Sequence, residues 1–311
     1  MRLIRRSGIL VAAAALTALS AGPAAAAAAT ASAPMIHELG TLPGYVAAEA
    51  TAVNNFGVAV GYATDANFDT TAVKWTYSGA ATNLGTLPGD DFSEALGIND
   101  LGQVVGYSGN ELAGTDHAVE WNAQGAIKDL GAAPGQLSSS EGHAINDLGE
   151  VVGDDQSGPR TVTAARWPAN GTIDNFGLAD FDAIGDTSAS AVNDLGEIAG
   201  FQFVIHGRPS PIRWYADGSY LLLPVLPNAR GGGGQANCIN NFGITVGMSP
   251  TYTFHLFDAV SWDAEGDITD LGALPDLPGG SEGEALAISD TGFIVGDDFD
   301  ANGDQVAVLW R

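Results

Sequence analysis

Tryptophan occurs six times in the 311-residue chain, at Trp75, Trp121, Trp167, Trp214, Trp262 and Trp310, and the intervals are 46, 46, 47, 48 and 48 residues. A residue used only at one phase of such a period marks a chain built from stacked units, each too small to bury its apolar face alone. A second marker keeps the same phase. The strings VNNFG, INDLG, INDLG, VNDLG, INNFG and ISDTG begin at residues 53, 98, 145, 192, 239 and 288, and each leads into a short run closing on Gly61, Gly106, Gly153, Gly200, Gly247 or Gly296. The unit ends in DLGxLPG, visible as LGTLPG at 39–44 and again at 84–89.

Within a unit the pattern is that of short strands. AVKW, AVEW, AARW, PIRW, AVSW and AVLW place an apolar residue two before each tryptophan, on the same face of a pleated strand. The N-D-x-G strings suit a type I turn closed by a left-handed glycine. A further glycine stands four residues after each of the first five tryptophans and marks a second hairpin. Four strands per unit and six units predict an all-β chain, a six-bladed β-propeller of four-stranded blades. Small residues such as Ala50, Ala95, Ala189, Ala236 and Ala285 place the first strand at the crowded axis and DLG at the rim. The last unit stops at Trp310 without its DLG strand, whereas HELG at 37–40 stands alone before the first unit. The expectation is a ring closed by the N-terminal strand pairing with the C-terminal blade, which removes an exposed edge.

The opening residues, MRLIRRSG followed by ILVAAAALTALSA and an alanine-rich stretch, have the layout of an export signal. Residues 1–33 are read as signal peptide and leader, and 34–311 as a single propeller domain. The apolar core is short for a membrane anchor and no second long apolar run follows, so a secreted, extracellular protein without a membrane anchor is expected. Removing the signal removes Arg2, Arg5 and Arg6, leaving 8 basic against 37 acidic side chains and a net charge of −29. Such a surface repels phosphate backbones, and no nucleic-acid partner is expected. With 45% apolar residues the acidity belongs to a folded domain. The lone Cys238 cannot form an internal disulfide, so stability rests on packing, and a monomer is expected.

Candidate chemistry lies mostly in carboxylates. Glu49, Glu94, Glu141 and Glu284 share one phase, where Ser188 and Gln235 stand in the other units. On a ring they encircle one mouth of the axis, and such crowding favours a cation or raised pKa values. The last loop, DDFDANGDQ, offers Asp298, Asp300, Asn302 and Asp304 in the manner of a calcium loop, although Leu309 stands where the closing acid belongs. The plainer reading of both groups is a solvated rim. The tryptophans read as packing anchors, since a buried indole removes roughly 150–250 Å² from water. GGSEG at 279–283 matches a nucleophile-elbow string but lacks the strand-turn-helix context. Among the scattered histidines only His143, two residues after Glu141, sits on an inner strand, where a structural role is expected.

LGTLPG, INDLGQVVGYS and DHAVEW resemble the extracellular HAF-type repeat proteins, although the name-giving His-Ala-Phe triplet appears only as His117-Ala118-Val119, with Val for Phe, and the other units lack the histidine. The resemblance implies a secreted repeat protein of unassigned activity and carries over no catalytic residue. The expected function is a non-catalytic binding or scaffolding module for an extracellular glycan or protein, with calcium on the acidic loop face. The alternative is an extracellular hydrolase acting on glycans through carboxylates near the channel mouth.

Overall fold

A computed structural model describes residues 38–311 except 133–138, 159–160, 171, 177–185, 204–207, 228, 230–232, 252–256, 275–282 and 300–303. The residues read as a signal lie outside this range. Residues His37–Arg311 form one compact unit.

Among the described residues twenty-three strands follow one another in chain order. The first blade holds β1 (Tyr45–Val53), β2 (Ala59–Asp65), β3 (Thr70–Trp75) and β4 (Ala81–Asn83), and the second β5 (Phe92–Ile98), β6 (Val104–Asn110), β7 (Thr115–Trp121) and β8 (Ile127–Asp129). The third holds β9 (Ser140–Ile145), β10 (Val151–Gly158), β11 (Thr161–Trp167) and β12 (Asp174–Asn175), and the fourth β13 (Thr187–Val192), β14 (Ile198–Phe203), β15 (Pro209–Trp214) and β16 (Tyr220–Leu222). The fifth holds β17 (Gln235–Ile239), β18 (Thr245–Pro250), β19 (Phe257–Trp262) and β20 (Ile268–Asp270), and the sixth β21 (Glu284–Ile288), β22 (Ile294–Phe299) and β23 (Gln305–Trp310). Every sheet is an antiparallel meander in sequence order. Each first strand contacts the first strand of the next blade, which puts it nearest the axis.

The asparagine of each N-D-x-G string builds its turn. In the first blade the Asn54 side-chain oxygen accepts from the amides of Phe56 and Val58 at 3.1 and 3.0 Å, and Gly57 closes the turn at φ +72°. The glycine closing each xVVG run answers a different demand. The inner strand carries a bulge at the same place in all six blades, and a Cβ on Gly106 would overlap the Glu94 carbonyl oxygen.

Blades are joined by repeated ties. Trp121, Trp262 and Val104 are fully buried between sheets, and each such indole removes on the order of 4–6 kcal/mol worth of apolar surface from water. In three of the indoles the N–H donates to the preceding crossover: Trp167 to Gly131 at 2.9 Å, Trp262 to Pro224 at 2.8 Å, Trp310 to Gly272 at 3.1 Å, whereas the buried Trp121 N–H has no such partner. Near the axis the carboxamides of Asn54, Asn99, Asn146, Asn193 and Asn240 each donate to the carbonyl of the next unit's equivalent residue, ending at Ser289. Buried hydroxyls add a third tie, with the amides of Ala72, Ala118 and Ala164 donating to Ser93, Ser140 and Thr187 of the next blade.

The predicted closure does not occur. Among the described residues the last sheet has three strands, and no further strand lies beside β23. The segment from Glu38 to Gly44 instead covers the first blade, where Leu39 and Leu42 pack with Trp75 and Trp75 donates to the Gly40 carbonyl at 2.6 Å. The reason lies in the residues at the two ends. Ser289, which has no carboxamide to reach across, stands where five asparagines bridge a junction; Ala48 lacks the hydroxyl of Ser93, Ser140 and Thr187, as do Gly234 and Gly283 at two junctions that form without it. Both terminal faces are open: Val295 is 46% exposed, whereas its counterparts Val60, Val105, Val152 and Val246 are fully buried.

Candidate functional site

Two ends of the array gather side chains from every blade. At the turn end, the N-D-x-G turns of all six units surround a depression of about 320 Å³. Its floor is the asparagine ladder. Above it, Asp100, Asp147, Asp194, Asn241 and Asp290 each accept from the backbone amide of the preceding unit's equivalent residue at 2.8–2.9 Å. These polar groups are largely used in holding blades together.

The third residue of each turn has no such duty. It is Phe56, Leu101, Leu148, Leu195 and Phe242 in the first five units, and these side chains are 62–70% exposed. The turn itself asks only for the asparagine and the glycine, so nothing local requires a large apolar residue there. Five of them at the same turn position, at the end where the depression lies, make an apolar crown. Sequence reasoning missed it, although an apolar third letter in five of six turn strings was the signal.

At the opposite, crossover end stand the four predicted glutamates, each engaged by a different neighbour. Glu49 accepts from the Tyr62 hydroxyl at 2.6 Å, which with burial pushes that phenol up to about 12. Glu94 faces Tyr107, whose hydroxyl is pushed far up by burial and then by its hydrogen bond to Glu94. Glu141 lies 3.6 Å from His143 Nε2, and Glu284 accepts from Asn237 at 2.8 Å. Burial and the nearby Asp297 raise Glu284 against the lowering effect of Asn237. Among the described residues no group of three or more metal-ligating side chains comes together.

In the last loop Asp298 is buried and committed to the fold, accepting from the Leu274 amide at 2.6 Å and its own neighbour Phe299 at 2.8 Å. Asp304 begins the described residues after the loop, while Asp300 and Asn302 lie outside them. GGSEG likewise falls mostly outside.

His143 is the most connected group of this end. Its Nδ1 meets the Ala189 carbonyl of the next blade at 3.0 Å, as Thr51 meets Ala95 and Asn237 meets Ala285 at the same phase. Its Nε2 lies 4.0 Å from Asp154, whose carboxylate also takes the Ser188 hydroxyl at 3.2 Å. Burial opposes the charge on His143, but Glu141, Asp154 and the Ala189 carbonyl outweigh it and raise the imidazole to about 9. Burial raises Asp154 to about 6 despite His143 and Ser188. A cavity of about 360 Å³ beside this cluster is lined by Asp116, Ser139, Glu141, Asp154 and Gln156.

No protein-family model and no curated protein matches the chain. Solved structures do. The chain is similar to TolB from Acinetobacter baumannii, at 12% identity and a TM-score of 0.51, over 83% of this chain and 64% of that one. It is similar to a puromycin hydrolase at 14% identity and a TM-score of 0.50, over 83% of this chain and 46% of that one. The chain thus spans about half to two thirds of the length of these two structures. At such identities the likeness bears on the fold, which is a β-propeller built of repeats. A propeller of this kind serves either a binding surface or an active site. Among the described residues no helix is long and apolar enough to cross a membrane.

Proposed function

We propose that the protein is an extracellular binding module of the HAF type, and that its turn end is the working surface. The observation that carries this reading is the apolar crown. Phe56, Leu101, Leu148, Leu195 and Phe242 keep apolar surface in water in five of the six repeats, which costs solubility and contributes little to the fold. An apolar rim around an acidic and amide-lined floor suits a protein partner that presents apolar side chains around a lysine or arginine. The net charge of −29 on the chain after the proposed signal favours a basic partner over an anionic one.

The test is a triple variant, Leu101→Ser, Leu148→Ser and Leu195→Ser, compared with the native chain against a panel of extracellular proteins and glycans. Binding lost with an unchanged melting temperature supports the reading. Binding retained by the triple variant overturns it.

A second reading has its own observation. Glu141, Asp154 and His143 meet beside the 360 Å³ cavity at the crossover end, a combination of acid and base suited to hydrolysis of a glycan. Turnover of a chromogenic glycoside that disappears in Glu141→Gln would favour it. Calcium on the last loop would require Asp298 to give up the Leu274 amide, and a chelator-sensitive melting temperature is the sign to look for.

A further inference from the structure

The residue just before a tryptophan stands where one blade meets the next, and two junctions show what a basic side chain does there. In the fourth blade Arg213 crosses to the fifth, where its guanidinium donates to the Asp263 and Ala264 carbonyls at 2.9 and 3.0 Å and to the Thr245 hydroxyl at 2.7 and 3.1 Å. In the first blade Lys74 crosses to the second and donates to the Ala123 carbonyl at 3.3 Å. Ala123 and Ala264 both stand two residues after a tryptophan. At this one place in a junction the repeat thus builds turn carbonyls that accept from a cation.

Between the second and third blades the equivalent place is a cavity of about 300 Å³, a size that small-molecule sites share. Val151, Pro168 and Ala169 line it, and in the repeat they are the counterparts of Thr245, Asp263 and Ala264. The residue before the tryptophan is here Glu120, a carboxylate. Its Oε1 accepts from the Gln103 carboxamide at 2.7 Å, which fixes the side chain at the cavity wall, while Oε2 has no partner among the described residues. Leu130 and Ile173 supply apolar walls. Lys128 lies opposite Glu120 on the neighbouring strand and is exposed at the mouth, and among the described residues the two form no ion pair.

We propose that this cavity binds free arginine, whose guanidinium takes the place that the Arg213 head takes two junctions further on. The planar fork donates to the carbonyls of Pro168 and Ala169 and to Glu120, which supplies the opposite charge. The alkyl stem lies against Leu130 and Ile173. At the mouth the Lys128 ammonium meets the carboxylate of the amino acid. Citrulline has the same length and shape but brings no charge to Glu120, so the site rejects it. The cavity shares no lining residue with the depression at the turn end or with the cavity beside His143, and its occupancy is independent of both.

Isothermal titration of the whole chain with L-arginine, citrulline and agmatine tests this. The expected result is saturable binding of L-arginine, several-fold weaker binding of agmatine, which lacks the carboxylate, and none of citrulline. Glu120→Arg places a guanidinium of the chain's own in the cavity, as Arg213 does in its junction, and should abolish arginine binding while melting no lower than the parent. Glu120→Gln keeps the shape and the Gln103 contact, and should weaken arginine binding with an unchanged melt. If Glu120→Arg misfolds, Glu120→Gln decides alone. No saturable binding of arginine to the native chain, citrulline bound as tightly as arginine, or arginine binding undiminished in Glu120→Gln would each overturn the proposal. Agmatine bound as tightly as arginine would overturn the free amino acid as the ligand.

Discussion

Trp75 donates its indole N–H to the carbonyl of Gly40 at 2.6 Å, across 35 residues of chain. A segment that looks like a loose N-terminal tail is thereby part of the first blade's core, with Leu42 buried beside it. Deleting residues 38–43 should expose Trp75 and fray the first blade. Leu42→Ala alone should cost about 2–5 kcal/mol, the usual range for a truncated core leucine. Amide hydrogen exchange checks the location: protection should fall in β1 to β3 and persist in β13 to β18. Uniform loss through all six blades would mean that the segment latches the whole array.

The charge on His143 makes stability depend on pH. Its imidazole is raised from its ordinary 6.5 to about 9 in the folded chain, so its contribution is fully present below about 6.5 and is lost as pH rises through 9. His143→Gln should lower the melting temperature by several degrees at pH 6. At pH 10 the gap between variant and parent should shrink, because the parent's imidazole is then neutral too. Paired thermal melts at the two pH values measure this, and a gap independent of pH would remove the charge from the account.

Arg213 is a buried guanidinium that bonds Thr245 at 2.7 and 3.1 Å and the carbonyls of Asp263 and Ala264 at 2.9 and 3.0 Å, all in the next blade. Lys74, at the same phase, reaches the Ala123 carbonyl from the surface. Truncation should separate the two. Arg213→Ala should cost about 3 kcal/mol or more by leaving several buried groups unpaired, while Lys74→Ala should stay within about 0.5 kcal/mol. Urea unfolding of both variants gives the comparison.

Gly106→Ala should fail to reach the native fold, because the added carbon meets backbone rather than a side chain that can move. Gly125→Ala, at a left-handed turn position with open space around it, should cost only about 1 kcal/mol. Soluble yield and circular dichroism distinguish the two outcomes.

Much of this architecture is written locally and so could be read from sequence. The period of the tryptophans, the alternation in AVEW and the asparagine and glycine of each turn act within a few residues, and the structure uses them as expected. Closure of the ring depended instead on what faces what across the two ends. LGTLPG at 39–44 carries the right letters for a last strand, but Ser289 lacks the carboxamide that bridges the other junctions. The glutamates were found by their phase, yet phase does not reveal that Tyr62, Tyr107, His143 and Asn237 each claim one of them. The crown escaped notice for the opposite reason. Leucine in a turn string looks like ordinary apolar content until its exposure is known.

The carboxamide ladder at the axis runs in one direction only, from Asn54 to Ser289, so each link polarises the one after it. Its two ends are therefore not equivalent: the Asn54 carbonyl receives only the Gly57 amide of its own turn, and Ser289 has no carboxamide to pass on. Thermal disruption should behave like a zipper opened from both ends, with the third and fourth blades the last to let go. A molecule of this kind has a stability that varies along its length, so its melting temperature averages over blades of unequal strength.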